Sequence, residues 1–329
     1  MAEWLYENGI GEVRALKLDD GRPVAIRIER PSAARAGAVI EDARLVKLLG
    51  GRGLIETSGG LQGLLSPIPQ GLGEGQMVTV EITREAGAER GRFKELLARP
   101  SDKSCGQGPT LRERIAADGP VRELRAAGAE TLDDHGWNDW IEQARQGLWP
   151  FAGGSLRIEI TSAFVAIDVD GDLPPRDLAL AAAPEVARAI AMFDLQGNIA
   201  VDCPTLATKA DRVKLAELFD AATTFDCERT AVNGFGLLQV IRRRTRASTL
   251  ETLQGNAVAS AALELLRRGE RSNGRGQLTL RAHPAVVKRL EKGFAMVEEL
   301  AARIGRPVAM ESDPSRPIRG GEAINEVEA

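Results

Sequence analysis

Histidine is nearly missing from this 329-residue chain: His135 and His283 are the only two. Acid–base catalysis by a pair of histidines therefore has little support. His283 precedes Pro284 in HPAVVKRLEKG, where proline suits the first position of a helix, and its role reads as structural. His135 lies in a polar DDHG stretch and reads as solvated. Cysteine is scarce too: Cys105, Cys203 and Cys227 are odd in number and form no CxxC pair. That excludes a disulfide framework and a four-cysteine zinc site, and predicts a reducing cytoplasm. Aromatic residues make up only 4%, which limits base stacking with any nucleic acid. No apolar run approaches the roughly 18 residues of a membrane span. The N-terminus shows no basic stretch followed by an apolar one, so no signal peptide is expected. Nor is there an excess of positive charge, since 43 Lys and Arg against 47 Asp and Glu leave −4. Contact with a polyanion must come from a local patch.

What is present is an ordinary globular mix, 43% hydrophobic and 27% charged, long enough for two or three domains. VRALKLDDGRPVAIRIER reads as two strands joined at Asp20-Gly21. AVIEDARLVKLL, GRGLIETSGGLQGLLS and QMVTVEITREA continue as short strands with glycine turns. They predict a small barrel of the OB kind, with a β-sandwich as the alternative. Arg99 to Pro120 reads as loop, and VRELRAAGAETLDDHGWNDWIEQARQGLW as mostly helical with a break near Gly136. From Ser155 strands alternate with helices, the mark of an α/β layer. A strand–helix–strand unit follows from GQLTLRAHP onward, and the tail after Pro317 reads as loose.

Three aspartates carry the chemistry. FVAIDVDGD ends an apolar strand with Asp168 and Asp170, two residues apart and so on one face. A second apolar strand, NIAVDC, ends in Asp202. If the two strands are neighbours, Asp168 and Asp202 meet at one sheet edge, where sites of open α/β sheets gather. Clustered carboxylates repel, and Mg²⁺ or Mn²⁺ resolves the repulsion with hard oxygen ligands. The bland reading is that strand-end aspartates form turns or cap helices, and it weighs most for Asp172. An EF-hand reading of DVDGD fails, with glycine at position four and Ala179 at position twelve. FGLLQVIRRRTR places Arg242, Arg243, Arg244 and Arg246 after another strand. They are either a phosphate grip or a solvated charge run.

AIDVD, NIAVD and FGLLQVIRRR, in this order and spacing, resemble the core of the ribonuclease E/G family. More distant likenesses extend outward. DGRPVAIRIER is similar to the family's opening strands, and RGLIETSGGLQGLLS…GEGQMVTVEITREA to its OB-type RNA-binding insertion. TLRERIAADG is similar to its 5′-monophosphate sensor, and LTLRAHPAVVKRLE…GRPVAMESDPS to its small C-terminal domain. The resemblance implies an RNase H-like and deoxyribonuclease-I-like α/β core with an inserted OB-type β-barrel and a small C-terminal α/β domain. It would divide the chain as N-terminal RNase H-like strands at 1–30, barrel at 31–98, sensor remnant at 99–120, and the rest of the RNase H-like part at 121–155. The catalytic α/β subdomain would follow at 156–249, then linker and C-terminal domain at 250–329.

The implied activity is a metal-dependent endoribonuclease cutting single-stranded RNA to a 5′-phosphate and a 3′-hydroxyl. The alternative is a catalytically weakened RNA-binding or regulatory protein. Asp168 and Asp202 would hold Mg²⁺, with Mn²⁺ as a substitute. Asp170 stands where the family has an asparagine against the scissile phosphate. Arg242 and Arg244 would steady the phosphate, Arg114 matches the sensor arginine, and Arg90 an RNA-contacting lysine. Leu54 and Leu64 replace base-stacking phenylalanines, Ile115 replaces the sensor threonine, and no zinc-binding cysteine pair occurs in STLETLQGNAVAS. No structural zinc is expected, and any homo-oligomer would lack a zinc link. Glu251 and Gln254 offer hydrogen bonds there instead.

Overall fold

The computed structural model describes residues 1–32, 34–89 and 92–325. Strands β1 (Glu3–Asn8), β2 (Val13–Asp19) and β3 (Arg22–Glu29) open the chain. The β2–β3 turn is the expected one, with Asp20 and Gly21 at φ 45° and 74°. Two positive φ values match the twist of flanking strands, and only glycine adopts them freely. β1 is an addition to the sequence reading; its EWLYEN segment buries Trp4 and Leu5. Then come β4 (Val39–Leu49), β5 (Arg52–Glu56), β6 (Gln62–Leu65), β7 (Met77–Arg84), the short pair β8 (Gly87–Glu89) and β9 (Arg92–Lys94), and β10 (Leu96–Pro100). Five of them close into a barrel in the order β10-β6-β5-β4-β7. Closure excludes the sandwich alternative and removes sheet edges. Ala43, Leu45, Ile55, Leu65, Val80, Ile82, Leu96 and Ala98 fill its interior.

The stretch read as loop contains a helix, α1 (Leu111–Asp118). Its start is a capping box: Thr110 N donates to Glu113 Oε2 at 2.8 Å, and Glu113 N donates to Thr110 Oγ1 at 3.2 Å. The stretch read as mostly helical holds β11 (Val121–Leu124), a 3₁₀ turn over Leu132–His135, α2 (Trp137–Gln146) and β12 (Leu148–Phe151). β11 exists because β1 lies beside it, with Trp4 opposite Val121 in parallel register. Next come β13 (Gly154–Ile160), β14 (Val165–Gly171), α3 (Pro175–Phe193), β15 (Gly197–Asp202), α4 (Lys209–Ala222), β16 (Glu228–Arg229) and β17 (Leu237–Arg242). After these run α5 (Thr249–Gln254), α6 (Ala257–Glu270), β18 (Leu278–Ala282), α7 (Pro284–Lys292), α8 (Phe294–Ile304), β19 (Val308–Ser312) and β20 (Glu322–Asn325). The tail is therefore not loose up to Asn325, because β20 pairs with β18. His283 caps α7, its Nδ1 accepting from Ala285 N at 3.1 Å.

Two compact units emerge. One comprises Met1–Pro31, Asp118–Glu142 and Thr252–Ala329; the other comprises Ser32–Ala117 and Gln143–Glu251. The first unit carries the sheets β11-β1-β2-β3 and β19-β18-β20. Leu263, Leu266, Leu278, Leu280, Val286, Leu290 and Leu300 pack α6, α7 and α8 together with β18. This unit also buries a charge network. Glu7 accepts from Arg14 at 2.6 Å and from Arg267 at 2.9 Å, while Glu12 binds Arg14 and Arg30. Burial alone would raise the Glu7 and Glu12 carboxyls, but these arginines outweigh it and hold both below the usual range.

The second unit carries the barrel and a six-stranded sheet, β12-β13-β14-β15-β17-β16. Helix α3 makes the crossover between the parallel strands β14 and β15, and packs on β12, β13 and β14 and against α4. Alternation does the rest: Val165, Ile167, Val169, Ile199, Val201, Leu238 and Val240 are buried on the helix side. The residues between them point to the other face. No helix is long and apolar enough to cross a membrane among the described residues.

Candidate active site

Asp168 on β14 lies directly opposite Asp202 on β15 in parallel register. Asp170 follows two residues on and shares their face. All three are exposed on the side of the sheet that the helices leave open. Neighbouring strands lie about 4.8 Å apart, so Asp168 and Asp202 are side-by-side neighbours on one face. Burial, then the charges of Asp170 and Asp202, push the Asp168 carboxyl above its usual range. A divalent cation relieves that stress, so the donor set fits a hard metal ion, completed by water and phosphate oxygens. Among the described residues no group of three His, Cys, Asp or Glu side chains is gathered around one metal position.

The row continues on both sides. Antiparallel pairing sets Arg157 of β13 opposite Asp168, and Leu237 of β17 opposite Asp202. The uncovered face is concave, with a volume of about 760 Å³, lined by Phe164, Ala166, Asn198, Ala200, Gln239 and Ile241 beside the two aspartates. Cys203, next to Asp202, is buried, and burial with the Asp202 charge pushes its thiol up to about 12. It supplies no thiolate nucleophile.

A tight turn holds the end of β15. Asn233 Oδ1 accepts from Phe235 N at 2.9 Å and from Leu237 N at 3.0 Å, and Cys203 N donates to Gly236 O at 3.3 Å. Gly236 has φ 96°, and a Cβ there would lie 2.2 Å from the Cys203 carbonyl oxygen. Only glycine fits.

The arginines expected at the site are elsewhere. Arg242 pairs with Gly197, at the opposite end of β15 from Asp202, and points to the helix face. Five residues of strand put it roughly 17 Å from the carboxylates. It donates to Leu195 O at 2.7 Å, lies 3.6 Å from Asp194 and stacks over Phe225. Arg244 is paired with Glu251 at 2.7 Å, and Arg246 with Asp194 at 2.8 Å. Arg242, Arg244 and Arg246 are thus a clasp that ties β17 to the segments beside it, while Arg243 of the same run is exposed. Glu251 also accepts from Ser248 N at 2.9 Å.

Arg114 sits in α1, donates to Pro109 O at 2.7 Å and does not line the concave face. Arg90 lies outside the described residues. Ile115, in the expected sensor segment, is buried. Leu54 and Leu64 are cross-strand partners on β5 and β6 and form one half-buried pair.

Arg157 was not among the candidates from the sequence, and the hairpin register is what places it. Thr161 N donates to Phe164 O at 3.1 Å and closes a hairpin whose last pair is Ile160 and Val165. Counting back from that closure brings Arg157 opposite Asp168.

Residues 120–245 match the model of the Ribonuclease E/G family. The match covers the six-stranded sheet and β11; the barrel and all that follows Thr245 lie outside it. No curated protein matches the chain.

Proposed function

We propose, for a chain that belongs to the ribonuclease E/G family through residues 120–245, a metal-dependent endoribonuclease acting on single-stranded RNA. The carrying observation is the register of Asp168 with Asp202 on the open face of the sheet, inside the matched segment. The sheet with its one-sided helices supports a deoxyribonuclease-I-like core, and the first unit's β11-β1-β2-β3 sheet is the proposed RNase H-like part. The closed barrel is the proposed OB-type RNA-binding part.

Asp168 and Asp202 would hold Mg²⁺, or Mn²⁺ in its place. When bound, the ion polarises the scissile phosphate and lowers the pKa of water for attack. Asp168 and Asp202 themselves gather negative charge at one point, so RNA is drawn there only once that charge is offset. Asp170 stands beside them on the phosphate side. The apolar stretch of the concave face, Phe164 to Ile241, offers a surface for a base, and Gln239 and Asn198 offer hydrogen bonds to its edge. Attack by water leaves a 5′-phosphate and a 3′-hydroxyl.

One observation favours a second reading, an RNA-binding protein with weakened chemistry: Asp170 adds a carboxylate where phosphate must approach. Cleavage of an end-labelled, A/U-rich single strand separates the two. Internal cuts in Mg²⁺ or Mn²⁺, abolished by chelator, by Asp168→Asn and by Asp202→Asn, are expected. RNA bound but left whole in every metal would overturn the enzyme and leave the binding protein.

A further inference from the structure

We infer that Arg157 is the phosphate-binding arginine of this site, and that it grips the RNA backbone beside the Asp168–Asp202 pair. The inference rests on the reading of the open face as an RNA site. It follows from which arginine is free and where it stands.

Arg242, Arg244 and Arg246 are spent on Asp194 and Glu251, and the exposed Arg243 follows Arg242 at the end of β17 that lies away from Asp202. Arg157 is different on each count. It lies on the open face, between Leu156 and Ile158, which are buried on the other side. It is exposed, and among the described residues its side chain makes no hydrogen bond or close ion pair, acting on Asp168 only through its charge. It is the cross-strand neighbour of Asp168. Side chains in such a pair have Cβ atoms about 5 Å apart. Arg157, Asp168 and Asp202 thus form a line across three strands, one cation beside two anions.

That line matches the charges of a bound phosphodiester. The two carboxylates would hold a divalent cation, which would offset their charge where phosphate approaches. A guanidinium one strand away presents paired N–H donors to the phosphate oxygens, a bidentate geometry that arginine offers and lysine does not. In β13 the arginine is carried on a regular strand rather than a loop, so its Cα is held in place by pairing with both β12 and β14. A purely structural role, balancing the charge of Asp168, would leave RNA binding indifferent to it.

The test is equilibrium binding of a fluorescent single-stranded RNA to the full chain across a salt series, with Ca²⁺ as the divalent ion and the RNA checked intact on a gel. Arg157→Gln and Arg157→Lys are compared with wild type, and cleavage in Mg²⁺ is measured alongside. Each phosphate contact on a single strand adds about 0.7 to the salt slope. Arg157→Gln is expected to lower the slope by about that amount and to weaken binding roughly tenfold. Arg157→Lys is expected to keep the slope and still lose cleavage rate, since the charge remains and the fork is gone. Arg157 is exposed, so both variants should melt with wild type.

An unchanged slope and affinity in Arg157→Gln would overturn the inference, while cutting by wild type would leave the enzyme reading standing. A lowered slope with no cutting by wild type would do the reverse. Failure of wild type to bind RNA would sink both.

Discussion

Asp170 is the residue of the proposed site most open to a test by substitution. It shares a face with Asp168, lies opposite Ser155 on β13, and has the uncompensated Asp202 nearby. A third carboxylate on this face repels phosphate and raises the cost of ionising Asp168, whose carboxyl is already lifted by burial and by its two acidic neighbours. Asp170→Asn removes one charge and keeps the shape. We expect it to lower the KM for RNA and raise kcat/KM several-fold, about 1 kcal/mol for a like charge at this separation near the surface. Steady-state cleavage of a short labelled strand measures it. An unchanged or lower kcat/KM would mean that Asp170 helps hold the ion. Asp168, Asp170 and Asp202 were all candidates from AIDVD and NIAVD, because apolar strands ending in Asp are readable in a row of letters. Arg157 was missed because one arginine among apolar residues carries no meaning until its partner strand is in register.

At the scale of elements, the site depends on a strand end being held. Asp202 is the last residue of β15, and the turn through Asn233 and Gly236 closes on the residue after it. Gly236→Ala forces a Cβ to 2.2 Å from the Cys203 carbonyl oxygen at a left-handed φ. The turn must move, at a cost of more than about 1 kcal/mol. The expected result is a lower Tm by several degrees and a loss of cleavage larger than the loss of RNA affinity. Thermal melting and single-turnover cleavage report the two. The clasp by Arg242, Arg244 and Arg246 belongs to this scale as well. RRRTR announces positive charge, but a charge run does not say which way each side chain leaves the strand, and alternation sends Arg242 to the helix side. Neither the helix that the Thr110–Glu113 capping box starts nor β11 was read from the sequence. VREL has helix-forming residues, and it became a strand because β1 offered it hydrogen bonds.

The whole molecule draws part of its stability from the buried charges of its first unit. Glu7 is fully buried between Arg14 and Arg267, and Arg267 also reaches Asp133 at 2.8 Å. Removing the Glu7 charge leaves Arg14 with Glu12 alone and Arg267 with Asp133 alone, two buried cations short of one anion, and costs about 3–5 kcal/mol. Glu7→Gln should lower Tm by roughly 6–15 °C. The pH dependence has a definite sign. Folding holds the Glu7 and Glu12 carboxyls below their usual range, so the stabilisation is complete above the ordinary carboxylate pKa. It fades as pH falls through the lowered folded-state values. Tm should therefore drop steeply on the acid side in wild type and less steeply in Glu7→Gln, read by melting from pH 7 down to about pH 3.

By itself the sequence determined the alternation of strands and helices, the barrel's short strands, the hairpin at Asp20-Gly21, and two strand ends carrying Asp168 and Asp202. These are local matters of period, turn chemistry and side-chain type. The tertiary structure decided what depends on neighbours. Strand order and register made Asp168 and Asp202 adjacent, set Arg157 beside them and sent Arg242 away. Helix α3 covers one face of the sheet and leaves the other open, and that choice turns a row of aspartates into a site. The physical reason is that a strand cannot satisfy its own backbone groups: its partners, and so its chemistry, come from elsewhere in the chain.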